Sequence, residues 1–296
     1  MLLFPALAAL IASLGWATGA VLAQAPARAL GAFEFTRIQL LACSAIMAAG
    51  CTGLGLWGSV AWGHWPAFAA SIVIGILLGN LAMIECLRLG GPRRMELLLS
   101  LKAPVVGVMA FAWLGEVPSP PDLIGAALAL CGVGLAILYG SNTRSDSDRT
   151  HGRMAFIVLL GLLATAFQGL GFLIVKPAML DGTSPLAITA IRLLGAAFLI
   201  SLVALWPSPA FRSHQPLTPA LLARTILPGF IGYAVSSSLL LYAMSAMDAG
   251  IAAVLGSMSP VLVLPIIRIK EGVAPRLPAL LGAGLAVAGS AVIALI

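Results

Sequence analysis

Apolar segments long enough to cross a lipid bilayer occupy nearly the whole chain, with only short connections between them. A helix needs about 20 mostly apolar residues to span the hydrocarbon core. Of the 296 residues, 61% are hydrophobic and 9% are charged, whereas a soluble domain carries about 25% charged residues. The sequence therefore predicts an all-α polytopic membrane protein.

The spacing of polar connections predicts ten transmembrane helices, with ends defined to within a few residues. The predicted spans are residues 2–23, 32–56, 66–89, 93–114, 122–140, 154–178, 184–206, 220–246, 250–270 and 275–296. The longest polar connection, 141–153, has almost no apolar residue. We interpret it as a linker between a five-helix domain at 1–140 and a second one at 154–296.

The two halves contain an internal repeat. Four residues recur in the same order and at nearly the same spacing, as the pairs Pro104 and Pro260, Glu116 and Glu271, Gly125 and Gly282, and Gly132 and Gly289. Further pairs are Arg37 and Arg192, Gly19 and Gly171, Trp16 and Gln168, and Gln24 and Lys176. Two copies with five spans each must enter the membrane with opposite orientation. This predicts two inverted five-helix repeats, the architecture of secondary transporters, with the substrate site between the repeats near the mid-plane.

The repeated motifs resemble the EamA domain of the drug/metabolite transporter superfamily. In the first half they are a proline in the fourth span, then Leu114-Gly115-Glu116, then Gly125 to Gly132. In the second half they are Pro260, Lys270-Glu271, and Gly282 to Gly289, with lysine in place of the glycine before the glutamate. The resemblance implies ten helices and export of small metabolites, often amino acids and in some members aromatic ones, across a bacterial inner membrane.

Lys102 is the sharpest candidate for the substrate site, because it lies near the middle of the span 93–114. A charge at that depth costs at least about 3 kcal/mol on insertion scales, so it should face a partner or a wet cavity. Pro104 frees backbone carbonyls at the same depth. Lys102 is interpreted either as the counter-charge for a substrate carboxylate or as part of a structural ion pair or a snorkelling side chain.

Glu85, on the neighbouring span, has several interpretations. It can pair with Lys102, bind a substrate ammonium or a proton, or pair with Arg88 or Arg94. Under the repeat, Asn80 aligns with Ser237 and Glu85 with Tyr242, while the serine run around Ser237 also fits helix–helix packing. The complete predicted substrate site is Lys102, Glu85, Asn80, Trp16, Gln168, Ser237, Tyr242, Tyr233, Ser257 and Met258.

Other charged residues are given structural roles. Arg37 and Arg192 are expected to snorkel or to hold loops near helix starts, and Glu116 and Glu271 are expected to anchor helices to each other. Lys and Arg concentrate in the connections after the odd-numbered spans, so the positive-inside rule places both termini outside the cytoplasm. The resemblance to the EamA family instead implies that both termini lie inside the cytoplasm.

These observations predict a secondary transporter that works by alternating access. Its expected substrates are small metabolites, with amino acids as the first class. The chain has no phosphate-binding P-loop motif for ATP, and its isolated histidines and scarce acids argue against a membrane-embedded enzyme. A channel is the third interpretation. We expect no cofactor and no metal; the partners are a small-molecule substrate and membrane lipid, not nucleic acid.

Overall fold

The computed structural model describes residues 3–90, 95, 98–139, 153–206, 215–262 and 277–295. Six helices in these residues are long and apolar enough to cross a membrane: α1 (Leu3–Ala23), α2 (Ala32–Gly53), α3 (Trp62–Cys86), α6 (Met154–Leu180), α7 (Pro185–Val203) and α8 (Pro219–Ala246). Four shorter apolar helices complete the set: α4 (Leu98–Leu114), α5 (Pro120–Leu135), α9 (Ala249–Leu262) and α10 (Leu277–Ile293). The described residues contain no strand. The predicted all-α polytopic membrane fold is confirmed.

Several helices extend beyond these apolar parts or are interrupted within them. Regular helix continues from α1 to Leu30, from α3 to Gly90, from α5 to Tyr139 and from α10 to Leu295. The interrupted helices are α3 and α8, which contain π-helical turns, α4 and α9, which contain a break, and α6, which breaks before its last segment Lys176–Leu180.

The two halves pack through equivalent pairs of helices. Helix α1 packs against α8, and its counterpart α6 packs against α3. Helices α2 and α7, α4 and α9, and α5 and α10 pack directly against each other. Exchanging the halves leaves this set of pairs unchanged, as a pseudo-two-fold arrangement requires.

The contact between α5 and α10 shows that equivalent helices run in opposite directions. Gly125, early in α5, faces Gly289, late in α10, and a Cβ placed on Gly125 would lie 2.8 Å from the Gly289 carbonyl oxygen. Gly132, late in α5, faces Gly282, early in α10. Small residues let membrane helices approach at the backbone, where dispersion contacts hold them together. The repeated glycines therefore form the antiparallel seam of the inverted repeat.

The outer surface of this bundle carries large exposed apolar side chains, among them Val108, Phe111, Phe198 and Leu281. A soluble monomer rarely exposes contiguous apolar surface on this scale. In a bilayer the same side chains contact lipid, which leaves polar side chains to gather inside the bundle.

We expect that Gly132→Leu destabilises the protein, because a side chain there would meet the Gly282 carbonyl and the Ala286 backbone. Overpacking of this kind typically costs about 1–3 kcal/mol. The measurement is the thermal unfolding midpoint of purified protein in detergent. Gly134→Leu is the matched control, since nothing lies within 4 Å of a Cβ at Gly134; equal losses in both variants would contradict the seam.

Candidate functional site

The two halves enclose a central cavity of about 250 Å³. Helices α1, α2, α3 and α4 line it together with their counterparts α6, α7, α8 and α9, and residue 95 also contributes. Pockets for drug-sized ligands measure about 300–1,000 Å³, so this volume suits a smaller metabolite. Its polar lining residues are Gln39, Asn80, Ser100, Lys102, Gln168, Thr189, Arg192, Tyr233, Ser237, Ser257 and Ser259.

Four of these side chains form a chain of hydrogen bonds in the cavity wall. Lys102 Nζ donates to Gln168 Oε1 at 2.9 Å, and Gln168 Nε2 donates to Asn80 Oδ1 at 3.1 Å. Asn80 Nδ2 donates to the Tyr233 hydroxyl oxygen at 3.1 Å. Since Lys102 and Asn80 belong to the first half and Gln168 and Tyr233 to the second, the chain joins the two repeats.

Trp16 adds an aromatic wall beside this chain. Its indole Nε1 donates to the Gly232 carbonyl oxygen at 3.2 Å, which fixes the ring. Lys102 Nζ lies 5.6 Å from the centroid of that ring, and the Phe172 ring meets it edge-on with centroids 6.3 Å apart. The ammonium of Lys102 therefore has both a hydrogen-bond acceptor and an aromatic face next to it.

Lys102 lies directly after a break in α4. The Leu101 amide bonds to the Leu98 carbonyl, a tightened turn, and regular helix resumes at Lys102. In α9 the Ser257 amide bonds in the same way to the Val254 carbonyl. Each break is followed three residues later by the repeated proline, which has no amide hydrogen to leave unpaired. Paired broken helices at the mid-plane are the usual site of binding in transporters with inverted repeats.

The cavity is also bordered by two equivalent π-helical segments, Ser71–Leu78 in α3 and Phe230–Ser236 in α8. The wide turns of a π-helix change where carbonyls point, and such turns recur at functional sites. The Gly232 carbonyl, for example, accepts hydrogen bonds from both Trp16 and Ser237, the latter at 3.2 Å. The two segments supply backbone acceptors as well as lining residues.

The position of Arg192 differs from the one expected from the sequence. It is the eighth residue of the 19-residue helix α7, roughly 10 Å along the axis from the helix start, and its exposed fraction is 3%. The guanidinium lies 4.5 Å from the Phe172 ring centroid and lines the cavity. The prediction that Arg192 snorkels or holds a loop is wrong, because the side chain turns into the bundle at mid-helix depth.

The environment of Arg192 leaves a charge incompletely compensated. Among the residues that the structure describes, no carboxylate pairs with it, and its Nε is buried without a hydrogen-bond partner. A cation at the centre of a membrane helix costs about 2.5–3.5 kcal/mol on insertion scales. A cation–π contact returns about 0.5–2 kcal/mol, so Phe172 alone does not offset the burial of Arg192.

Seven of the ten predicted site residues line the cavity: Lys102, Asn80, Trp16, Gln168, Ser237, Tyr233 and Ser257. The other three do not. Tyr242 is 43% exposed on the outside of α8, Met258 is buried in the core at the break of α9, and Glu85 is half-buried on α3. The role of all ten residues in substrate binding, and the pairing of Glu85 with Lys102, stay predictions.

Sequence reasoning missed several lining residues: Arg192, Gln39, Thr189, Phe35 and Phe172. Gln39 is buried and donates to the Thr225 carbonyl at 3.0 Å. The depth of Arg192 within the seventh apolar segment was a signal that could have identified it as a lining residue. The aromatic residues carried no such signal, because an apolar side chain in an apolar segment is equally consistent with a place in the core and a place on the lipid-facing surface.

Glu116 ties several helices together at one end of the bundle. One of its carboxylate oxygens lies 2.5 Å from Lys176 Nζ, and the other accepts a hydrogen bond from the Ala249 amide at 2.7 Å. Lys176 also donates to the Met247 carbonyl at 3.0 Å. Glu116 is thus an anchor between helices, as its position at the end of the fourth span predicted. Its counterpart, Glu271, lies outside the described residues.

The arrangement defines a class of protein: a polytopic membrane protein whose two inverted repeats surround a central cavity at paired helix breaks, as in secondary transporters. The chain belongs to the EamA-like transporter family, whose family model matches residues 3–138 and again residues 155–295. The resemblance drawn from the repeated motifs is confirmed. The family is one of membrane transporters of the drug/metabolite type.

Comparison with solved structures supports the same fold. A crystal structure of a protein that is 19% identical aligns with a TM-score of 0.78, over 98% of this chain and 96% of that one. At this level of identity the likeness shows the shared fold alone. Comparison with curated proteins gives no match.

We expect the chain of hydrogen bonds to act as a unit, because Asn80 joins Gln168 to Tyr233. Asn80→Leu removes two hydrogen bonds, the one from Gln168 Nε2 to Asn80 Oδ1 and the one from Asn80 Nδ2 to the Tyr233 hydroxyl oxygen. Loss of buried hydrogen bonds of this kind costs about 1–3 kcal/mol. In a double-mutant cycle with Tyr233→Phe, the unfolding free energies should deviate from additivity by about 0.5–3 kcal/mol. Chemical denaturation in detergent measures both quantities, and strictly additive losses would contradict a connected network.

Proposed function

We propose that this protein is a secondary transporter of small amphipathic metabolites that carry a carboxylate, with amino acids as the first class to test. Substrate binds in the central cavity, and the two repeats then rock against each other to open the cavity to the other side. We further propose that it exports these metabolites across a bacterial inner membrane. The known activity of the family supports the transporter class; the substrate and direction are our proposal.

The observation that carries the proposal is the placement of Lys102. It lies beside the cavity, directly after the break of α4, with Gln168 of the other half as a hydrogen-bond acceptor. A helix start carries partial positive charge, which adds to that of the lysine. An anionic group in the cavity would therefore be attracted by both the side chain and the helix end.

The remaining wall indicates what should accompany the carboxylate. Trp16 and Phe172 present aromatic surface, and most of the other lining side chains are apolar. An apolar or aromatic substrate body would pack there, while Ser257 and Tyr233 offer hydroxyl groups for further hydrogen bonds. A wall that combines apolar and aromatic surface with placed polar groups is typical of small-molecule sites.

The contacts between halves suggest how binding would couple to movement. The hydrogen bonds from Lys102 to Gln168 and from Asn80 to Tyr233 both join one repeat to the other. A substrate carboxylate that draws Lys102 away from Gln168 would loosen one of these links. Binding would then lower the barrier for one repeat to move relative to the other, which is what alternating access needs.

We expect that Lys102→Ala lowers uptake of the transported class in proteoliposomes by roughly 10- to 100-fold, because it removes a charge-assisted hydrogen bond to the carboxylate. The measurement is initial uptake and counterflow of a labelled panel of aromatic, aliphatic and acidic amino acids, with organic acids that lack an amino group.

Arg224→Ala is the matched control, since Arg224 is an exposed cation on α8 that does not line the cavity. Normal chromatographic behaviour and an unchanged melting temperature verify that each variant is folded. Wild-type transport by Lys102→Ala would remove Lys102 from the substrate site. Absence of transport for every compound by folded wild-type protein would contradict the proposed substrate class.

A further inference from the structure

Arg192 is a second cation in the cavity wall, on a different helix from Lys102. Its side chain is buried at the middle of α7, its Nε has no hydrogen-bond partner, and its guanidinium lies against Phe172. The described residues that line the cavity include no aspartate or glutamate. A buried guanidinium that faces a cavity with no carboxylate among the described lining residues can bind a planar anionic group, to which arginine can donate two parallel hydrogen bonds.

The internal repeat supplies a direct comparison for this residue. The sequence alignment of the two halves pairs Arg192 with Arg37, whose Nε and Nη2 donate to the two oxygens of Glu34, three residues earlier, at 2.8 and 2.7 Å. Arg37 is the sixth residue of α2 and does not line the cavity, whereas Arg192 is the eighth residue of α7 and does. Three residues before Arg192 the chain has Thr189, which cannot carry a negative charge. Arg37 is therefore neutralised by a glutamate on its own helix, whereas Arg192 has no glutamate three residues earlier and lies at the cavity.

We propose that Arg192 forms a second anion-binding subsite, so that the favoured substrates are small organic compounds with two anionic groups, one held near Lys102 and one by Arg192. This inference rests on the proposed function for its first subsite and names the substrate class more closely. The second carboxylate of the substrate would take the place that Glu34 occupies beside Arg37.

The aromatic pair keeps the two subsites apart. Lys102 contacts the Trp16 ring, Arg192 contacts the Phe172 ring, and these two rings meet edge-to-face. A substrate that reaches both cations must therefore extend along the ring pair. Its carbon skeleton would lie on aromatic surface while its two ends meet the cations.

The first test compares matched probes that differ only by a carboxylate and an amide: glutamate with glutamine, and succinate with succinamate. Ligand-induced thermal stabilisation of the purified full-length protein, titrated to give dissociation constants, measures binding without requiring transport. In the wild type the member of each pair with two carboxylates should bind roughly 10- to 100-fold more tightly. Arg192→Gln should remove that preference and leave binding of the amide members within about threefold.

A second pair of variants keeps Arg192 in place, which guards against a misfolded Arg192→Gln protein. Thr189→Glu would give Arg192 the internal partner that Glu34 gives Arg37, so it should weaken binding of glutamate and succinate by a factor similar to that of Arg192→Gln. Thr189→Gln is the uncharged control of the same size and should keep the preference for the probes with two carboxylates. Thr189→Glu should also melt no lower than Thr189→Gln without ligand, because it neutralises a buried charge.

The outcomes separate this inference from the proposed function. Equal binding of acid and amide within both pairs by the wild type would overturn the second subsite, and the Lys102→Ala transport assay would still decide the proposed function. Equal losses for all four probes in Arg192→Gln and Lys102→Ala would indicate one shared subsite and would also overturn it. A preference for probes with two carboxylates that is lost in both Arg192→Gln and Thr189→Glu, and kept in Thr189→Gln, would establish the second subsite.

Discussion

A bilayer interior provides no hydrogen-bond partners, so every polar group at that depth must find one within the protein. This constraint explains why the breaks in α4 and α9, the two π-helical segments and the two cations Lys102 and Arg192 lie together around one cavity. Each interruption frees backbone groups, and only the bundle interior can satisfy them or leave them to water and substrate. The Gly232 carbonyl oxygen, for example, accepts hydrogen bonds from both Trp16 and Ser237, so this backbone group is satisfied inside the bundle.

The two repeats form a nearly symmetric frame of the ten helices that the structure describes. The residues that we propose bind substrate are at positions where the two copies differ. Lys102 corresponds to Met258, Trp16 to Gln168, and the Glu34–Arg37 pair to Thr189 and Arg192. The frame needs its glycines and prolines in both copies, because they set backbone contacts and helix breaks. A substrate has no such symmetry, so its binding groups are free to differ between the halves, and these differences concentrate positive charge beside the cavity.

The sequence predicted the frame and most of the polar wall because both depend on residues that are unusual in an apolar segment. Pro104, Lys102 and Asn80 could be recognised from type and depth alone. Arg192 was misinterpreted because it was described as near a helix start, although the predicted span already began at residue 184. Helix α7 begins at Pro185 and carries Arg192 at its middle, with the side chain turned inward. Met258 and Tyr242 failed to line the cavity because alignment to the other copy fixes depth in the membrane but not the direction in which a side chain points.

The ends of the bundle are also unequal, and this bears on the transport cycle. Glu116 holds Lys176 and the start of α9 together at one end. The counterpart of Lys176 is Gln24, which has no charge to offer to Glu271. A symmetric frame alone would make the two access states equal in free energy. The ion pair between Glu116 and Lys176, with an uncharged glutamine at the sequence position that corresponds to Lys176, makes the two states unequal in free energy before substrate binds. A substrate anion bound by the cavity cations would then change the relative populations of the two states from that unequal starting point.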